Sequence, residues 1–179
     1  MTDANETGGE RTTDVGAAHP PLTPDEDRTV VAAQIGRDPR AMEGVAARCV
    51  FGYPAVTKQA PIDRNGQPFP TAFYLTCPHL VKQIDRIEGS GGVKRFEQVL
   101  RDEPELHAAT MESHGRHRAL TRYGNNIAAS SNPDHLKCLH AHAAFQLALG
   151  EHPLGERVLE EAEPNWCADA RCARMLDRS

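Results

Sequence analysis

Four of the five cysteines stand in four separate stretches of the chain. They are Cys49 after Arg48, Cys77 before Pro78 and His79, Cys138 in Lys137-Cys138-Leu139-His140-Ala141-His142, and Cys167 after Trp166. Dispersed thiols that converge on folding can hold a metal, and a shared ion would draw four distant segments to one point. That would constrain the topology more than any local pattern in the chain. The bland alternative is that each cysteine is a small buried hydrophobe, which is ordinary behaviour for a free thiol.

The 179 residues suit one domain. Hydrophobic residues make up 39% and aromatics 5%, and the shortfall is local. Residues 1–27 carry seven acids against one base, Arg11, whereas the remainder carries nineteen bases and eighteen acids. The formal charge of −5 therefore comes from the amino-terminal end. The nearly neutral remainder lacks the basic field of a nucleic-acid binder. No apolar run reaches the ~18 residues of a membrane span, and no basic start followed by an apolar stretch marks a secretory signal. The expected compartment is the cytoplasm, where thiols stay reduced and metal or catalytic roles gain weight over disulfides.

Residues 1–22 lack apolar periodicity and are expected to form a disordered acidic tail. Residues 23–166 read as a single α+β domain, mostly helical with a small sheet of about three strands, and 167–179 as a cysteine-bearing tail. Thr23-Pro24-Asp25-Glu26 is a capping box opening a helix that stops at Gly36. Gly44 to Val50 and Ala55 to Gln59 read as strands about the Phe51-Gly52-Tyr53-Pro54 turn. Thr71 to Thr76 is rich in β-formers and runs into Cys77-Pro78, where a helix over about 78–88 begins. Val93 to Tyr123 is helical with a break at Pro104, Asn132-Pro133-Asp134 caps a helix ending at Gly150, and a short helix covers about 154–163.

On a helix starting near Pro133, Cys138 and His142 share a face one turn apart, which is chelating geometry, and His140 points elsewhere. The continuation of that stripe through Phe145 leaves room for His142 to be a core histidine bonded to backbone. Cys77 sits at a helix start, where amides favour a thiolate suited to a metal ligand, a redox thiol or a nucleophile. Cys49 shares its strand face with Ala47 and Phe51. Cys167 and Cys172 lie five apart, wider than a usual zinc knuckle, so Cys172 reads as free. His107, His114 and His117 share a face that reads as solvated, beside a basic patch of Arg116, Arg118 and Arg122. Gly89-Ser90-Gly91-Gly92 lacks the lysine of a phosphate-binding loop.

With those residues in view, the chain resembles an actinobacterial family known as domain-of-unknown-function family five hundred and one. The likeness rests on Arg48-Cys49-Val50-Phe51-Gly52-Tyr53-Pro54-Ala55-Val56, on residues 68–78 (PFPTAFYLTCP), and on Lys137-Cys138-Leu139-His140-Ala141-His142. It extends over roughly residues 28–167. His152-Pro153-Leu154-Gly155 resembles a family Asn-Pro step with histidine in place of asparagine. Asn126-Ile127-Ala128-Ala129 stands where the family carries Gly-Ile-Gly-Gly. The resemblance implies an envelope or division context and no established activity.

The leading expectation is a metal-binding domain with ligands from Cys49, Cys77, Cys138, His142 and Cys167. Mixed Cys/His ligation favours zinc, and four cysteines would also suit an iron–sulfur cluster. A thiol-dependent enzyme using Cys77 is the second reading. A non-catalytic adaptor meeting a protein partner through its acidic tail or arginine face is the third.

Overall fold

The computed structural model describes residues 21–176, so most of the expected acidic tail lies outside the described residues. Leu22, at the end of that stretch, is buried with Val30, Tyr53 and Cys172. Helix α1 (Pro24–Ile35) opens with the expected capping box. Thr23 Oγ1 accepts the Glu26 amide at 3.3 Å and Glu26 accepts the Thr23 amide at 2.7 Å, an arrangement worth about 1 kcal/mol. Gly36 ends the helix at φ 68°.

The sheet holds three antiparallel strands in the order β1 (Met42–Arg48), β2 (Pro54–Gln59) and β3 (Phe73–Leu75). Its hairpin turns where Gly52 donates to the Cys49 carbonyl at 2.9 Å, at a φ of 84° that favours glycine. Arg48 locks this corner. Its guanidinium grips both carboxylate oxygens of buried Asp27 at 2.7 Å and donates to the Gly52 carbonyl.

Helices then dominate, as the pattern predicts: α2 (Pro78–Gly89), α3 (Gly92–Asp102), α4 (Pro104–Leu120), α5 (Leu139–Leu149), α6 (Pro153–Glu161) and short α7 (Ala173–Leu176). The α+β, mostly helical fold is what the pattern of segments foretells. The core lies between the sheet and α5, where Phe73 and Phe145 meet edge-to-face at 5.8 Å. Helix α6 crosses α5 at Gly155, where a Cβ would stand 2.7 Å from Gln146 Cβ and closer still to the His142 carbonyl.

Two expectations about helices change. Helix α5 begins at Leu139 rather than near Pro133, with Cys138 as an extended N-cap at φ −160°. The buried stripe of α4 is mostly polar: Leu106, Thr110, Ser113, His114 and His117 face inward, while Leu120 is exposed. An apolar-stripe reading misplaces such a helix, because its inward groups are satisfied by partners from elsewhere. His117 accepts the Ala72 amide at 3.1 Å and bonds the Asn125 carbonyl at 2.8 Å. The face expected to be solvated is therefore mostly core, with only His107 partly exposed, against Asp134.

Candidate metal centre

The shift in the start of α5 remakes the chemistry around Cys138. With Cys138 outside the helix, a two-residue step brings its sulfur to 3.6 Å from His140 Nδ1. The Glu88 carboxylate, from the end of α2, reaches the same point. Its Oε1 lies 3.3 Å from His140 Nδ1 and caps α5 by accepting the Leu139 amide at 2.5 Å. Donor atoms of Glu88, Cys138 and His140 all lie within 4.8 Å of one another.

His140 Nε2 faces two acceptors, the Val81 carbonyl and Asp85 Oδ1, each at 3.2 Å, so Nε2 carries a proton. Nδ1 then faces a carboxylate and a sulfur, an arrangement satisfied by a proton on Nδ1 or by a bound cation. Burial opposes charging the ring, yet the Cys138 sulfur and Glu88 outweigh it and push His140 up to about 9. A metal at Nδ1 would have to displace the proton held there. The 3.3 Å contact to oxygen is longer than the about 2.7–2.9 Å of a charge-assisted N–H···O bond, whereas 3.6 Å to sulfur is a hydrogen-bond distance. As edges of a zinc tetrahedron they fit: bonds of about 2.3 Å to sulfur and 2.0–2.1 Å to nitrogen and oxygen give edges of about 3.5 and 3.3 Å.

The site opens onto a cavity of about 380 Å³ between β3, α2 and α5, lined mainly by apolar groups including Phe73, Leu75, Val81 and Ala141. Ala128 also lines it. Ala128 and Ala129 hold φ of 59° and 50°, left-handed values that favour glycine.

The remaining expected ligands divide. His142 does not join Cys138, because it is fully buried on α5 with its Nδ1 2.7 Å from His152 Nε2 and its ring 5.6 Å from that of His114. Burial first, then its histidine neighbours, holds it well below the ordinary range. Cys138 in turn lies apart from Cys49, Cys77 and Cys167. Those three line one small pocket together with Cys172, which had read as free. Cys77 is 5% exposed. Burial pushes its thiol up despite the His79 and Leu80 amides aimed at it, so the expected lowering at the helix start loses to desolvation. That environment disfavours Cys77 as a nucleophile.

Glu88 and His140 are the residues of this cluster that sequence reasoning missed. His140 was set aside on a helical period that does not apply to an N-cap, and Glu88 belongs to another helix with no local signal. Expecting helix α5 at Leu139 would have paired Cys138 with His140.

Fold and site together describe a small α+β domain with a Cys–His–Glu cluster at the mouth of an apolar cavity. Residues 45–131 match the family model described as "Protein of unknown function (DUF501)", which is the family the sequence resembles. The Cys138–His142 stretch and the His152-Pro153 step lie beyond the matched residues. No curated protein and no solved structure matches the chain. No helix among the described residues is long and apolar enough to cross a membrane.

Proposed function

We propose that the protein binds a zinc ion through Glu88, Cys138 and His140, with a fourth position turned to the apolar cavity. The observation that carries this reading is the pair of donor separations at His140 Nδ1, 3.6 Å to sulfur and 3.3 Å to carboxylate oxygen. One sulfur, one imidazole and one carboxylate suit zinc, whereas an iron–sulfur cluster calls for a fuller set of thiolates. The Cys138 thiolate and the Glu88 carboxylate together neutralise a divalent ion. The Val81 carbonyl and Asp85 orient the imidazole from behind, the usual outer support of a metal-bound histidine.

Three protein ligands and one free position are the pattern of zinc sites that act on a ligand rather than brace a fold. The ligand that suits the cavity is a small, largely apolar molecule with one oxygen or nitrogen donor presented to the ion. The test is metal content after purification of the full chain from unsupplemented cells. His140→Ala and Cys138→Ser are each expected to hold one zinc equivalent fewer than wild type. Substoichiometric zinc in the wild type, or unchanged zinc in both variants, overturns the reading.

A further inference from the structure

The second group of thiols lies in another part of the fold. Cys49 comes from the hairpin turn, Cys77 from the junction of β3 and α2, and Cys167 and Cys172 from the turns before α7. The gap they line holds about 10 Å³, room for one atom-sized occupant and too little for an organic ligand. Gln34 Nε2 donates to Cys172 Sγ at 3.3 Å, Cys77 stands at the amino end of α2, and Arg171 lines the gap beside Cys167. Arg48 adds positive charge beside Cys49.

We infer that Cys49, Cys77, Cys167 and Cys172 close on a second ion, a structural zinc held by four thiolates. This site stands apart from the Glu88–Cys138–His140 cluster and shares no ligand with it. Its formation is balanced as one zinc ion taken up and four thiol protons released, leaving a doubly negative centre. Helix α2 presents its amino end to that charge, and Arg48 and Arg171 flank it. The size of the gap favours one ion over an iron–sulfur cluster. The four cysteines line the gap, but no three of their sulfurs meet the 4.8 Å spacing of the other cluster, so closing on an ion requires the thiols to draw together. The Cys167–Cys172 turns are already tethered, by His79 bonded to the Pro164 carbonyl at 2.7 Å and by Trp166 packed on the core.

Full-length His140→Ala, which lacks the first site, isolates the second. This variant is expected to retain one zinc per chain, and adding Cys167→Ser and Cys172→Ser is expected to remove it. Cobalt exchanged into the His140→Ala chain should give tetrahedral bands with sulfur charge transfer at four-thiolate intensity, a readout independent of whether the triple variant folds. A His140→Ala chain without zinc, zinc that survives the two serine substitutions, iron in place of zinc, or a cobalt spectrum without sulfur charge transfer each overturns the assignment. If the first site is the one that fails, His140→Ala leaves zinc content unchanged while the serine substitutions still lower it.

Discussion

Lowering the pH from 7 to 5 is expected to remove a large part of the protein's stability through a cluster of buried histidines. His114, His142 and His152 are each about 1% exposed and lie against one another. Burial first, then neighbouring positive charge, holds His114 down at about 4 and His152 at about 3. The charges facing them are His117, Arg118 and Asp134 around His114, and Arg116 beside His152. Unfolded histidine titrates near 6.5. A depressed native value means that the unfolded chain takes up protons first as the pH falls. The contribution to stability is full above about 6.5 and is lost on the way down to the native values. At pH 5 the loss is roughly 2 kcal/mol for each of His114 and His152, or about 4 kcal/mol for the two. Domain stabilities are about 5–15 kcal/mol, so the effect is a large fraction of the whole. The hydrogen bond between His142 Nδ1 and His152 Nε2 needs one donor and one acceptor, which a doubly charged pair lacks. Urea unfolding at a series of pH values measures this directly. His152→Asn should remove about 2 kcal/mol of the loss between pH 7 and 5, leaving the shares of His114 and His142. Because His152 ligates neither proposed ion, comparing the variant with wild type at each pH cancels any loss of metal. Equal pH dependence in the two proteins, or a stability that rises on acidification, would refute the reasoning.

Two further predictions concern the backbone. Ala128→Gly and Ala129→Gly should each stabilise by about 0.5–1 kcal/mol in thermal unfolding, because a left-handed alanine costs about 1–2 kcal/mol and glycine's extra entropy offsets part of the gain; a loss of stability would contradict the strain. Gly155→Ala should destabilise by at least about 2–3 kcal/mol, since its Cβ would enter the space of the His142 carbonyl and of Gln146 Cβ at the α5–α6 crossing; a neutral result in urea unfolding would refute that packing.

Much of the fold was legible, because its signals are local. The Thr23 capping box, the turn at Gly52, the β-rich Thr71–Thr76 stretch before Pro78 and the break at Pro104 each specify an element from a few residues. The misreadings share one cause, which is that tertiary partners outweighed local period. Glu88 caps α5 at Leu139 from another helix, so Cys138 leaves the helical stripe and meets His140. Asn125 and Ala72 satisfy His117, so an apparently solvated face turns inward. The gathering of Cys49, Cys77 and Cys167 was anticipated as a principle, but their partner is Cys172 and not Cys138. No spacing rule could have chosen between the two, because the choice depends on where the turns after Trp166 lie against α2.

The central claim is tested most directly by a zinc-edge anomalous map from a crystal of the full chain grown with zinc. The account predicts a peak about 2.0–2.3 Å from Cys138 Sγ, His140 Nδ1 and a Glu88 carboxylate oxygen. Clear density for those three side chains in hydrogen-bonded contact, with no anomalous peak between them, would contradict it.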